Sequence, residues 1–362
     1  DLPTTQDFED YQRQVIRMLD EAVTWRMTAI FFQVRTTNDA FYQSKLNPYS
    51  RYLTGEEGKK PPMDVLRWII DETHRRGIEF HAWMNPYRVS INGKLSKTDY
   101  LDTCDDLNFA KRHPEMVLVD KKGILILNPA HPVVQDHIDA SIRELIHDYP
   151  VDGIHFDDYF YPYAGLVKGE GDEKEYAAFK TSGMSLEDFR RGQVNGLIKR
   201  LHESIKSVNP ALRFGMSPFG IWKNKADDPR GSNTHPTCGQ CFHQQFADPV
   251  AWVEEGTIDY IVPQIYFGFS HDRAPFADLV DWWAGIVKDT AVDLYIGHGP
   301  YRLGVEKEYG DPAEVAYQVM YANQYPEVKG NVFFTYNTFI RNDKAKPGVD
   351  ILKTLLIDEV TP

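Results

Sequence analysis

Cysteine is scarce in this chain of 362 residues. Only Cys104, Cys238 and Cys241 occur, too few for a disulfide scaffold, and the odd count leaves at least one thiol outside any pair. Long apolar runs are missing as well: the longest are five to seven residues, far short of the ~20 that a membrane-spanning helix needs. No Lys/Arg run exceeds a doublet, and 40 basic against 53 acidic residues leave a formal charge of −13. A polyanion such as nucleic acid therefore finds no basic run to bind. No repeat, low-complexity stretch or Pro/Ser linker divides the sequence, which predicts one domain over residues 1–362. No basic start with an apolar stretch behind it marks a secretory leader, although an exported protein whose leader has been removed would look the same.

What is present is ordinary for a folded protein: 42% hydrophobic, 26% charged and 13% aromatic residues, which excludes disordered, collagen-like and coiled-coil classes. Short apolar runs alternate with longer segments of helical period. The runs are Ala29–Val34, Phe80–Asn85, Gly153–Asp157, Phe214–Ser217, Tyr260–Tyr266, Leu294–Gly297 and Val332–Asn337. Each is bounded by turn residues and reads as a buried strand. Helices are expected over Met63–Arg76, which stops at Gly77, and over Leu186–Val208, which starts after Ser185 with Asp188 three residues on. Further helices are expected over Pro132–His147, Pro249–Glu255, Ala277–Lys288 and Pro312–Asn323.

Strand–helix alternation means a parallel sheet covered by crossover helices. Seven strands are visible, whereas a closed (β/α)8 barrel has eight. The chain also begins with a helix, Phe8–Val23, ahead of its first strand. The expected fold is therefore α/β, a (β/α)8 TIM-like barrel lacking its first strand, with Asp1-Leu2-Pro3 as the loop that would follow it. The alternative is that Met116–Val119 and Ile124–Leu127 pair as a hairpin and supply a replacement.

Side chains alternate between the two faces of a strand, and the outer face of such a barrel packs on helices. If Ile154 and Phe156 face out, His155 and Asp157 face in. If Phe80, Ala82 and Met84 face out, His81, Trp83 and Asn85 face in. By the same test Gln33 and Arg35 face in on the first visible strand, and Gln264 and Tyr266 on the fifth. Polar groups thus gather at the C-terminal ends of strands, where barrel active sites are built. His81 and His155, lower on their strands, serve a satisfied polar layer as readily as a site. Asp157, at the last inward position, costs several kcal/mol (roughly) to desolvate unless it is paired, with Arg35 or a histidine as the expected partner. Aromatic residues follow at Tyr159, Tyr161 and Tyr163, and sugar rings present apolar C–H faces that stack on such rings.

Six blocks of this sequence resemble the glycosyl-hydrolase-like family ten proteins. They are Phe31–Gly55, Arg76–Ser90, Val151–Tyr163 (VDGIHFDDYFYPY), Phe214–Ser232, Asp259–Phe267 and Leu294–Gly304, in order along almost the whole chain. The resemblance implies a (β/α) barrel that hydrolyses glycan in the bacterial cell envelope, including peptidoglycan strands stripped of their stem peptides. It also implies export to the periplasm or cell surface, commonly as a lipoprotein or secreted enzyme. Carried over residue by residue, the family's mouth motif falls on Asp157 and Asp158, and its Asn-Pro-Tyr-Arg on Asn85, Tyr87 and Arg88. Its Gln-Val-Arg falls on Gln33 and Arg35, its Pro-Gln-Ile-Tyr on Gln264 and Tyr266, and its Trp-Arg-Asn on Trp222 and Asn224, with Lys223 between them. His235–His243 and His298 depart from the family's pattern.

Glycoside hydrolysis uses two carboxyl groups, one as proton donor and one as base or nucleophile. Asp157 and Asp158 are the expected catalytic pair, with Asp39 and Asp228 in reserve. The expected substrate contacts are Gln33, Arg35, Asp39, His81, Asn85, Tyr87, Arg88, His155, Tyr159, Trp222, Asn224, Asp228, Gln264 and Tyr266. Glycan is the expected partner, with no cofactor. Substrate-assisted catalysis by an N-acetyl group, with Asp157 orienting it, stays open. A non-catalytic glycan-binding barrel is the competing class; a metal-dependent hydrolase is disfavoured because His81, His155 and His298 form no clear ligand triad. Cys238 and Cys241, flanked by His235 and His243, leave zinc, a local disulfide and reduced thiols open.

Overall fold

The computed structural model describes Pro3, Thr5 and residues 7–358. Asp1 and Leu2, in the loop expected after the missing strand, lie outside the described residues. Seven parallel strands form one curled sheet: β1 (Ala29–Arg35), β2 (Glu79–Met84), β5 (Gly153–Phe156), β6 (Arg213–Met216), β7 (Tyr260–Ile261), β8 (Asp293–His298) and β9 (Val328–Phe333), neighbours in that order. β3 (Val117–Val119) and β4 (Leu125–Leu127) pair antiparallel as a separate hairpin and do not enter the sheet. The sheet is a half-barrel, open between β1 and β9 as the count of strands implied.

Helices cross over between successive strands and start where their caps dictate. Ser185 accepts from the amide of Asp188 to open Leu186–Val208, and Asp7 does the same from Asp10 for Phe8–Thr24. Pro132 occupies the first turn of Pro132–Asp148, where its missing N–H costs nothing. Gly77 takes φ +70° just past the helix Val65–His74. The outward residues of the strands, among them Phe80, Ala82, Met84, Ile154, Phe156 and Phe214, are buried against these helices.

Inside the half-barrel, large and small side chains alternate. The rings of Phe31, His81, His155 and Tyr260 fill one layer, with Phe31 4.9 Å from His81 and 4.6 Å from His155 between ring centroids. Gly215 makes room for Tyr260: a Cβ there would stand 2.3 Å from the phenol ring. We expect Gly215→Ala to lower stability by about 1–3 kcal/mol, as overpacking does, measured by urea unfolding; an unchanged midpoint would show that the layer yields.

Three strands differ from expectation. β7 pairs regularly through two residues rather than seven, because Pro263 has no N–H to donate, and beyond it pairing resumes only as single bridges from Gln264 to Phe219 and Gly297. β9 runs four residues earlier than Val332–Asn337, so Tyr336 begins the helix Tyr336–Arg341 instead of ending a strand. β1 carries a register shift between Gln33 and Arg35, which ends the regular alternation just before the mouth.

Candidate functional site

A cavity of about 1220 Å³ runs from the C-terminal ends of the strands down the open side of the sheet. Of the residues singled out in the sequence, Gln33, His81, Arg88, His155, Asp157, Asp158, Tyr159, Gln264 and Tyr266 line it. Asn85 lies just beneath, bonded to Asp157.

β5 delivers Asp157 one residue past its last paired position, with Ile154 and Phe156 turned to the helices. Trp83 Nε1 donates to Asp157 Oδ2 at 3.1 Å, Asn85 Nδ2 to Oδ1 at 3.0 Å, and the Tyr159 amide to Oδ1 at 3.2 Å. Arg88 Nη2 stands 3.9 Å from Oδ2. Burial pushes the Asp157 carboxyl up from the ordinary range, while Arg88 and these donors pull it back. Asp158 accepts from Tyr163 Oη and is hydrogen-bonded by the Gln264 side chain. Burial, then the charge of Asp157 beside it, raises Asp158 to about 7. Of the two, Asp157 has more donors and the nearer cation, so it ionises first and Asp158 keeps its proton near neutrality.

Arg35 does not reach the cavity. The register shift turns it under the following loop, where Nη1 donates to the carbonyls of Asn85 (2.7 Å) and Pro86 (3.0 Å). It is buried and its guanidinium is lowered to about 10 by that burial. The cation facing Asp157 is therefore Arg88, and Arg35 acts on the site through the loop: Asn85 Oδ1 accepts from the Arg88 amide at 3.0 Å.

Five other expected contacts lie away from the cavity. Asp39 is buried and accepts from the amides of Thr36 (2.9 Å) and Thr37 (3.0 Å), fixing its own turn. Tyr87 is fully buried. Trp222 is buried against Phe242 and Trp282 and donates to Asp248 at 2.8 Å. Asn224 closes its loop by accepting from the amides of Ala226 and Asp227. Asp228 pairs with Lys223 at 3.0 Å. Neither reserve carboxylate, Asp39 or Asp228, lines the mouth.

His81 and His155 share the hydroxyl of Tyr260, at 2.9 and 3.2 Å. Burial lowers both imidazoles, His155 to about 3, so both are neutral. Their tautomers follow from the far end of the chain. Glu79 can only accept, so His81 Nε2 donates to it (3.2 Å) and Nδ1 accepts from Tyr260. Tyr260 then accepts from His155 Nδ1, and His155 Nε2 accepts from Ser217 Oγ at 2.9 Å. The Ser217 carbonyl in turn takes Gln264 Nε2 at 2.8 Å. This polar layer positions the amide beside Asp158.

Aromatic rings circle the mouth. Tyr159 and Tyr163 are 5.7 Å apart, Tyr163 and Phe219 6.4 Å, Tyr266 and Tyr301 5.9 Å, and Tyr266 stacks on Phe334 at 6.2 Å. Trp83 faces Phe334 at 6.5 Å. The inward parity of Trp83 was visible in the sequence; Phe219, Tyr301 and Phe334 sit on loops where no period operates.

Cys104, Cys238 and Cys241 are free thiols. Among the described residues no group of three His, Cys, Asp or Glu side chains is placed to hold a metal ion, and no helix is long and apolar enough to cross a membrane.

The sequence profile of the family described as glycosyl hydrolase-like 10 matches residues 4–312. The chain is 38% identical over 337 residues to the glycosyl hydrolase YngK of Bacillus subtilis, covering 92% of this chain and 65% of that protein. It is 36% identical over 361 residues to the glycosyl hydrolase DigH of Escherichia coli, covering 95% of this chain and 79% of that one. The chain thus spans about two thirds of the Bacillus protein's length. Among solved structures, an alpha-L-fucosidase from Paenibacillus thiaminolyticus superposes with a TM-score of 0.57 at 13% identity, covering 96% of this chain and 46% of that one. An alpha-galactosidase from Geobacillus stearothermophilus superposes with a TM-score of 0.50 at 12% identity, covering 95% and 39%. At such identities the likeness concerns the fold alone.

Proposed function

Because this chain belongs to the glycosyl hydrolase-like 10 family, we propose that it is a glycoside hydrolase of bacterial cell-envelope glycan, cutting N-acetylated amino-sugar strands of peptidoglycan. That substrate lies outside the cytoplasmic membrane, so the proposal includes export. The observation that carries the reading is the pair of adjacent buried carboxyls whose surroundings set them apart, inside a cavity rimmed by aromatic rings.

In this reading Asp158 donates its proton to the leaving glycosidic oxygen. Asp157, held by Trp83, Asn85, the Tyr159 amide and Arg88, is the anion at the sugar's reacting carbon. The rings of Tyr159, Tyr163, Tyr266 and Phe334 take the apolar faces of neighbouring sugars. Gln264 orients Asp158, and Asn85 orients Asp157. Incubation with peptide-free peptidoglycan strands, followed by mass spectrometry of the products, tests the proposal. New reducing ends support it; intact strands after long incubation would leave a protein that binds glycan without cutting it.

The raised carboxyl gives the reading a pH signature. Turnover should fall as pH rises through about 7 and Asp158 loses the proton it must donate. Stability follows the same sign. A carboxyl whose folded-state pKa lies above its unfolded value contributes stability that is fully present below the unfolded value, and that contribution is lost as pH rises through the folded one. Asp158→Asn should therefore be inactive, and its unfolding free energy should fall less between pH 5 and pH 8.5 than that of the parent. Rate profiles and urea melts at the two pH values check both halves.

A further inference from the structure

Asp157 and Asp158 are consecutive residues at one strand end, so both carboxyls enter the cavity from the wall that β5 builds. Three donor groups hold the two oxygens of Asp157. Oδ1 takes Asn85 Nδ2 at 3.0 Å and the Tyr159 amide at 3.2 Å. Oδ2 takes Trp83 Nε1 at 3.1 Å and a second contact from the straddling Asn85 Nδ2, also at 3.1 Å. Arg88 balances the charge from 3.9 Å and is itself occupied, since its side chain is hydrogen-bonded to Tyr159 and lies over that ring. If either oxygen of Asp157 became the ester oxygen of a glycosyl–enzyme bond, it would give up bonds from donors buried beside it, and those donors would go unpaired. One more N–H brought to the same anion asks for none of them to break, because a carboxylate has about four lone-pair positions. Beside the anion, the indole of Trp83 meets Phe334 edge to face at 6.5 Å and forms an apolar corner.

We infer that Asp157 grips the N–H of a 2-acetamido group on the sugar that is cut, and that the carbonyl oxygen of that group, rather than an aspartate, attacks the reacting carbon. The inference rests on the glycosidase reading and assigns Asp157 its task within it. Trp83 and Phe334 take the acetyl methyl. In the first step the acetamide oxygen bonds to C1 while the bond from C1 to the leaving oxygen breaks, and Asp158 gives that oxygen its proton. The five-membered ring so formed carries positive charge on the former acetamide, and its N–H stays on the Asp157 anion, which is preorganised to stabilise it. Water then bonds to C1, its proton passes to the Asp158 carboxylate, and the ring reopens to the acetamide. One water is consumed and both aspartates are restored. Two displacements at C1 return the starting configuration.

The thiazoline of N-acetylglucosamine is a stable copy of that ring, with sulfur in place of oxygen. Calorimetry compares its binding with that of N-acetylglucosamine itself. The parent protein should prefer the thiazoline by about 10²-fold, the lower end for analogues of an activated species, and Asp157→Asn should lose most of that preference. Proton NMR during cleavage of peptide-free strands should show each new reducing end first in the configuration of the bond that was cut. A thiazoline preference that survives Asp157→Asn overturns the inference, because another group then holds the acetamide. Equal affinity for the two compounds while strands are cut also overturns it and spares the glycosidase reading. First release of the inverted end does the same, as does an ester on Asp157 after treatment with 2-deoxy-2-fluoroglucosyl fluoride, found by mass spectrometry. Strands left whole, with the thiazoline unbound, overturn both.

Discussion

An Asp157→Asn variant should still fold while its turnover falls by about 10³-fold, the scale on which a lost acid–base or nucleophilic carboxylate acts. The substitution keeps the shape and removes the charge. An amide has one acceptor oxygen where the carboxylate has two, so Trp83, Asn85 and the Tyr159 amide compete for it, a local loss confined to the mouth. The reaction loses the anion that those donors and Arg88 are arranged to hold. Asp228→Asn makes the matching comparison: the same chemistry in a carboxylate paired with Lys223 outside the cavity should leave turnover near the parent's. The measurement is release of reducing ends from peptide-free strands, with circular dichroism melts to show that both variants fold. Near-parent rates for Asp157→Asn would take that residue out of the mechanism.

Arg190→Met should cost about 3–5 kcal/mol of stability, because it leaves a fully buried carboxylate without its counter-charge. Asp172 is 0% exposed, and both Nε and Nη2 of Arg190 reach it, Nη2 at 2.5 Å. Tyr161 Oη donates to its second oxygen at 2.8 Å. These three side chains tie the segment after β5 to the helix Leu186–Val208, and that segment carries Asp157, Asp158, Tyr159 and Tyr163. The variant should therefore lose activity by more than its unfolded fraction explains. Urea unfolding gives the first quantity, and the rate per folded molecule gives the second. A loss below 1 kcal/mol (about the value of an exposed pair) would mean that water reaches Asp172.

Much of the site follows from the two-residue period of a strand. His81 with Trp83 and Asn85, His155 with Asp157, and Gln264 with Tyr266 turn inward because their neighbours are apolar and need the helices. Gln264 and Tyr266 keep this parity although β7 stops at Ile261, since Ile265 is still drawn into the core. Arg35 broke the pattern because an irregularity in register cannot be seen without the partner strand. β9 was misplaced because Lys329, Gly330 and Asn331 are poor core residues; they are tolerated in a strand that is paired on one side and half-exposed. Trp222 and Asn224 were carried over by likeness to relatives, and likeness transfers a residue type without its direction. Here the loop folds on Asp248, Trp282 and Lys223 instead of on the cavity. Phe219, Tyr301 and Phe334 reach the rim from loops whose course depends on contacts distant in sequence.

Among the described strands, the two sides of the mouth are supported differently. Its carboxyl side rests on β5 and β6, each paired with a strand on both sides. The opposite side, with Gln33 on one lip and Phe334 just past the other, is held from one direction only. A change in the ladder beside β5 therefore reaches the acids from either neighbour, whereas one at β1 or β9 is met first by Gln33 or by the aromatic rim at Phe334.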